Sequence, residues 1–168
     1  YKYRAFLSYS HTDNHWARWL HRALERYRPP KKLVNSVLSS HEINRRIAPV
    51  FRDREELSSG SDLSQAVNSA LAQSEVLIVI CSPAAASSRW VNEEILAFQK
   101  LGRSQRIFCF LVAGEPNSGD ADECLPQALR YYLPANESAE HVNLEPLAAD
   151  ARPQGDGRTL AKLKLIAG

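Results

Sequence analysis

The sequence predicts an α/β fold in which helices flank a parallel β-sheet. Short apolar runs alternate with segments of helical periodicity along the chain, and such alternation implies βαβ crossovers. The run at residues 76–81 is uninterrupted and rich in β-branched side chains, as expected of a strand that is covered on both faces. With 168 residues, 44% of them hydrophobic, the chain suits one domain over residues 1–168. We expect this domain to be part of a longer multidomain protein.

The first half of the chain predicts two strands and one helix. Residues 3–8 form the first strand. The helix after it is predicted from four side chains at helical spacing: Trp16, Leu20, Leu24 and Tyr27. Thr12 or Asp13 is expected to cap its N-terminus. Residues 31–46 are polar and predict a loop, and a second strand follows at 47–51.

The second half predicts the remaining helices and strands. Asp62 and Gln65 resemble a capping box, which predicts the start of a helix. The later elements are expected as a strand at 76–81, a helix at about 90–101, a strand at 107–112, and helices at 127–133 and 159–167.

The helix at about 90–101 separates two adjacent glutamates. Ser87 or Ser88 is expected to cap it. Its core face is predicted from three residues on one stripe: Val91, Ile95 and Phe98. Glu94 then lies on the flank of that stripe, half sheltered beneath Trp90, whereas Glu93 points into solvent. The alternative is structural: Trp90 is an aromatic at the core edge, and Glu94 is an early helical acid favoured by the helix dipole.

Composition and motifs exclude several functions. The 21 basic and 19 acidic residues are mixed along the chain, which gives little support for a nucleic-acid partner. No apolar run is long enough to span a membrane, so we expect no membrane contact by this segment. Neither a P-loop, a Rossmann fingerprint nor a serine-hydrolase motif is present.

The cysteines and histidines predict neither disulfides nor a metal. The three cysteines follow no spaced framework, and Cys81 and Cys109 lie in apolar runs. This pattern favours a reducing, cytoplasmic location. His11 and His15 flank Asp13, but no third ligand stands at a suitable spacing, so we expect no metal.

Three loops are predicted to meet at one edge of the sheet. They span residues 9–14, 52–61 and 82–89, and each follows a strand. The carboxyl ends of parallel strands share one edge, where α/β proteins bind their ligands. We therefore expect Trp90 and Glu94 to lie at a ligand-binding edge.

Three motifs in register resemble the Toll/interleukin-1 receptor (TIR) domain family, in its bacterial branch. They are YRAFLSYS at residues 3–10, FRDREELSSG at 51–60 and SRWVNEE at 88–94. The resemblance implies a flavodoxin-like three-layer sandwich with a central parallel sheet. In the branch of the family that has enzyme activity, it also implies cleavage of the nicotinamide–ribose bond of NAD+, which is consumed as a substrate and is not a cofactor.

The resemblance also assigns roles at the site. In the enzymatic branch, a glutamate four residues after a tryptophan is catalytic, and this sequence has that pair as Trp90 and Glu94. The substrate-binding residues expected at this edge are Trp90 as a stacking face, Tyr9, Ser10 and His11 from the first loop, and Ser82. Each loop residue has an equally ordinary structural alternative, as part of a turn, a helix cap or the end of a strand.

The middle motif corresponds to the family's assembly loop. It contains Arg52, Asp53, Arg54, Glu55 and Gly60, and the resemblance implies docking on other TIR domains in a homo-oligomer. The alternative is a solvated charged loop whose ion pairs contribute little. The whole sequence therefore predicts an NAD+ hydrolase that is activated by self-association and acts in bacterial antiphage defence. A cyclase activity is a further possibility. The alternative is a TIR module that only binds other proteins.

Overall fold

The computed structural model describes residues 1–28, 48–52, 62–130 and 148–167, and statements about the fold refer to these residues. The strands are β1 (Tyr3–Ser8), β2 (Val50–Arg52), β3 (Ser74–Cys81), β4 (Ile107–Leu111) and β5 (Ala148–Asp150). The helices are α1 (Asn14–Glu25), α2 (Asp62–Ala72), α3 (Pro83–Ala86), α4 (Arg89–Lys100), α5 (Gln127–Arg130) and α6 (Gly157–Ala167).

The five strands form one parallel sheet in the order β2-β1-β3-β4-β5. The chain order reverses between β1 and β3, which pair directly, with Phe6 opposite Leu77 and Ser8 opposite Val79. This is the flavodoxin-like order, and its ligand crevice lies at the carboxyl ends of the two strands where the order reverses. The predicted α/β fold with a parallel sheet is confirmed.

The two faces of the sheet carry separate cores. One core packs α2 and α4 against β1, β3 and β4 and contains Phe6 and Val79. The other packs α1 and α6 against the opposite face and contains Leu7 and Tyr9. Because side chains alternate along a strand, Ser8 shares the α4 side of the sheet with Phe6. This alternation decides which polar side chain of the first motif meets α4.

The boundaries of several elements differ from the sequence prediction. β3 begins at Ser74, two residues before the apolar run, since Ser74 pairs with Tyr3 and its hydroxyl donates to the Ala70 carbonyl. β2 begins only at Val50, after Pro49, because proline lacks the N–H that a strand would use. α1 ends two residues before Tyr27.

Other predictions lie partly or wholly outside the described residues. The loop at 31–46, residue 47 and the middle loop from 53 to 61 belong to this group, as do residues 131–133 of the predicted short helix. α2 begins at Asp62 as expected, but the side chain needed for a capping box there is not among those described. Within the described residues, no helix is both long and apolar enough to cross a membrane.

Candidate active site

Ser8 and Glu94 form a buried polar pair at the β1/β3 reversal. Ser8 is the last residue of β1, and its hydroxyl donates to Oε2 of Glu94 at 2.5 Å. Ser8 is fully buried, and Glu94 is only 6% exposed. A carboxylate in such a place needs donors, because burial without hydrogen bonds is costly. The pair therefore holds one oxygen of the Glu94 carboxylate at the carboxyl edge of the sheet.

The first two turns of α4 explain why Glu94 points inward. The Ser88 hydroxyl caps the helix by accepting from the Val91 N–H at 3.4 Å. Three side chains of the predicted stripe are fully buried: Val91, Ile95 and Phe98. Glu94 flanks this stripe and is drawn toward β1. Glu93 is exposed and its carboxylate pairs with Nε of Arg89 at 2.7 Å, so the predicted separation of the two glutamates is confirmed.

A second buried pair joins the loops after β1 and β3. The Ser82 hydroxyl donates to Oδ2 of Asp13 at 2.6 Å and accepts from the Ala85 N–H at 3.0 Å, where it caps α3. Burial raises the pKa of Asp13, while the Ser82 hydrogen bond and the nearby His15 act in the opposite direction. Asp13 occupies the N-cap position of α1 but makes no capping bond there. Its carboxylate instead fastens two loops of the same edge together.

A family model described as the TIR domain matches residues 5–148 of the chain. The chain belongs to the TIR domain family. One curated relative, the NAD(+) hydrolase ApTIR of an Actinoplanes species, is 32% identical over 152 residues. The match covers 85% of this chain and 19% of the relative, so the chain spans about a fifth of the length of that protein.

Among solved structures, the TIR domains of the activated Roq1 resistosome, which recognises the pathogen effector XopQ, align with this TIR domain. The sequence identity is 22% and the TM-score is 0.46, with 69% of this chain and 61% of that chain covered.

Glu94 is sheltered differently in this TIR domain from what its helical spacing predicts. Glu94 is more buried than the half-sheltered position that its helical spacing predicted, because it reaches the end of β1. Trp90 is 58% exposed, so a large part of its indole faces solvent. The indole thus offers an open aromatic surface one helical turn before Glu94.

The loop after β1 contributes mostly structure. Tyr9 is 3% exposed and packs in the core on the α1 side, opposite to Ser8, so its ring is a core residue and does not share the face of Glu94. Ser10 is buried and begins the short helical turn at residues 11–13, with its carbonyl accepting from the Asp13 N–H at 2.8 Å. His11 is exposed on that turn. A role for these residues in substrate binding stays a prediction.

The assembly-loop residues are only partly described. Arg52 is the last residue of β2 and is partly buried. Asp53, Arg54, Glu55 and Gly60 lie outside the described residues, so their expected role in docking stays a prediction. In the described ranges, no three His, Cys, Asp or Glu side chains come together in a group that could hold a metal ion.

Ser8 and Asp13 are the two site residues that the sequence analysis missed. The sequence indicates Ser8 only as the end of a strand, and Asp13 only as a helix cap or as a residue between two histidines. A signal for Ser8 existed in the alternation of β1, which places it two residues after the core residue Phe6 on the same face. Its partner lies 86 residues away in the sequence, and no local pattern identifies such a pairing.

Proposed function

We propose that this TIR domain cleaves the bond between nicotinamide and ribose in NAD+, with Glu94 as the catalytic carboxylate. The observation that carries the proposal is the Glu94 carboxylate, held by Ser8 at the edge where flavodoxin-like folds bind their ligands. The similarity to a relative named as an NAD(+) hydrolase supports the choice of substrate.

The proposed reaction suits one fixed carboxylate. When nicotinamide leaves, positive charge spreads over C1 of the ribose and its ring oxygen, as in glycoside cleavage. A carboxylate that is already oriented and largely shielded from water stabilises this charge without reorganising. Nicotinamide leaves NAD+ as a neutral molecule from a cationic ring, so the step needs no general acid. Water then attacks C1 of the ribose and loses a proton, which gives ADP-ribose. Attack on C1 by a group of the substrate itself would give a cyclised product.

Trp90 is the proposed platform for an aromatic ring of the substrate. Its exposed indole lies on α4, four residues before Glu94 and on the same side of the helix. Rings of nicotinamide or adenine stack on such surfaces. His11, also exposed, is proposed to contact the substrate from the loop after β1. Ser10 and Ser82 are buried. The Ser10 carbonyl and the Ser82 hydroxyl are hydrogen-bonded to Asp13, and we propose that both residues shape the edge of the site.

Burial of Glu94 makes activation by assembly part of the proposal. With 6% of its surface exposed, Glu94 meets a substrate only after the edge of the sheet opens. We propose that self-association of TIR domains supplies that change, and that the domain works in the cytoplasm in bacterial defence against phage. The same burial favours the second candidate function, a module that binds other TIR domains without cleaving NAD+.

Two adjacent glutamates provide the test and its matched control. We expect the wild-type domain and Glu93→Gln to release nicotinamide from NAD+ when clustered at high concentration. Glu94→Gln keeps the size and an acceptor oxygen but removes the charge, so we expect about 100-fold or greater loss of rate. Chromatography of the products separates ADP-ribose from a cyclised product. If the folded, clustered wild type leaves NAD+ intact, the interaction module replaces the enzyme as the better account.

A further inference from the structure

The outer surface of α1 carries a row of arginines. Arg18, Arg22 and Arg26 recur every four residues, are all exposed, and make no ion pair within the described part of the chain. Residues at this spacing lie along one side of a helix, so the row is about 12 Å long. The acid of this helix that could neutralise the row, Glu25, instead accepts from the Val50 N–H at 2.6 Å. Among the residues that the structure describes, the row is therefore a strip of positive charge without an ion-pair partner.

The loop after β4 carries the opposite charge. Glu115, Asp120 and Asp122 are all exposed there. The Asp122 N–H and the Ser118 hydroxyl donate to the Asp120 carboxylate and lower its pKa, so Asp120 is ionised at neutral pH. Arg152 contacts Glu115 at 2.8 Å, but its guanidinium is also bonded to both oxygens of Asp150. The loop thus keeps a net negative charge, and we call it the acidic loop.

The arginine row and the acidic loop lie in different parts of the domain. Glu25, beside Arg26 at the end of the row, bonds to the N–H of Val50, the first residue of β2, so the row runs toward the amino edge of the sheet. The acidic loop follows β4 at the carboxyl edge, between Val112 of the core on the α1 side and Cys124 of the core on the α4 side. The row therefore runs away from the edge that carries the acidic loop. This placement lets one copy present its row to the acidic loop of another copy.

We propose that the arginine row of one TIR domain docks on the acidic loop of a second copy. The two surfaces differ, so the contact is heterologous: each copy keeps one free row or loop, and the contact can repeat along an assembly. Opposite charges on the two surfaces give the contact its orientation and a fast, salt-sensitive encounter. The occupant of the arginine row is thus a second copy of this chain.

The contact also reaches the candidate active site. The segment after the acidic loop is tied to α4, since the Ala128 N–H donates to Oδ1 of Asn92 at 2.8 Å, two residues before Glu94. A neighbour bound to the acidic loop therefore lies next to a segment that is hydrogen-bonded to α4, the helix that carries Glu94. The proposed contact adds a mode of assembly to the proposed function. Only the expected gain in NAD+ cleavage rests on that proposed function, because the contact itself is measured without NAD+.

The test uses two variants that are each expected to self-associate weakly alone and to associate with each other when mixed. Arg18→Glu with Arg22→Glu makes the row acidic, and Glu115→Lys with Asp120→Asn and Asp122→Lys makes the loop basic while keeping an acceptor oxygen at residue 120. We expect each variant alone to self-associate about tenfold more weakly than the wild type. In a mixture, the acidic row of the first variant meets the basic loop of the second, and the native row of the second meets the native loop of the first. We therefore expect association to return. Lys2→Glu with Lys100→Glu, at exposed lysines elsewhere, matches the first variant's change in net charge.

Analytical ultracentrifugation gives the masses, and nicotinamide release is followed separately. Association of the wild type should weaken as salt rises from about 0.1 M to about 1 M, where screening shortens the range of charge interactions. The proposal is overturned if the wild type stays monomeric at low salt, if the arginine variant associates as well as the lysine control, or if mixing restores nothing. Intact NAD+ with normal association would instead overturn the enzyme and leave this contact standing.

Discussion

Replacing Ser8 with alanine tests whether the Ser8–Glu94 pair holds the candidate site together. The substitution removes a fully buried hydroxyl that donates to Oε2 of Glu94, and the smaller side chain introduces no clash. A hydrogen bond to a charged group contributes about 1.5–3 kcal/mol to stability. For a domain of this size, that loss lowers the melting temperature by roughly 3–12 °C.

A double-mutant cycle isolates the pair from other effects of the substitution. Unfolding by denaturant is measured for the wild type, Ser8→Ala, Glu94→Ala and the double variant. If the hydroxyl acts through the carboxylate, Ser8→Ala should cost much less when Glu94 is already alanine, which gives a coupling of about 1 kcal/mol or more. Glu93→Ala in place of Glu94→Ala is the matched control, and we expect it to be additive with Ser8→Ala.

The outcome that refutes this reasoning is additivity. If the cost of Ser8→Ala is the same within about 0.5 kcal/mol with and without Glu94, the two side chains do not stabilise each other. The carboxylate would then be held by its other neighbours. The positioning of Glu94 by β1, on which the proposed site depends, would lose its support.

Two further predictions follow from buried groups near the same edge. Burial raises the pKa of Asp13, so the folded domain binds the proton of this carboxyl more tightly than the unfolded chain does. The contribution of Asp13 to stability therefore falls as the pH rises from the ordinary aspartate pKa through the raised pKa. Over that pH interval, the free energy of unfolding of Asp13→Asn, measured with denaturant, should rise relative to that of the wild type. A difference between the two proteins that is the same at every pH would contradict this. A hydrogen bond with Cys109 and burial raise the pKa of Cys81, and burial with the nearby Glu123 raises that of Cys124 to about 11. All three cysteines are buried, so mass spectrometry should find them unlabelled by iodoacetamide in the native domain near neutral pH and labelled after unfolding. Rapid native labelling would show that the thiols are accessible.

The sequence was sufficient where a single element decides the outcome. Helical periodicity alone separated Glu93 from Glu94, and the uninterrupted apolar run identified β3. The sequence was insufficient where two elements that are distant along the chain contact each other. Ser8 and Asp13 were assigned to local roles, and both carboxylate–serine pairs join segments that lie 86 and 69 residues apart.

Tyr9 shows a prediction that local reasoning could have corrected. Tyr9 is predicted from the sequence to lie in the loop after the first strand, but the alternation of β1 continues through Ser8 to Tyr9, which places the two on opposite faces. The serine therefore meets α4 and the tyrosine packs against the α1 side. The family resemblance identified the motif, whereas the period of the strand decides which of its residues contacts Glu94.

Stability is a poor explanation for the two buried carboxylates at the β1/β3 reversal. A buried polar pair regains through its hydrogen bond little more than it loses on leaving water, and well-packed apolar side chains would serve the core as well or better. Asp13 illustrates the cost, because burial raises its pKa despite the Ser82 hydrogen bond. Yet Glu94 and Asp13 both occupy the edge where this fold binds ligands, and each is held by a serine at the end of a neighbouring strand. Buried carboxylates that are oriented by hydrogen bonds at a ligand-binding edge are typical of functional sites, so the physical argument favours function over stability as the reason for their burial.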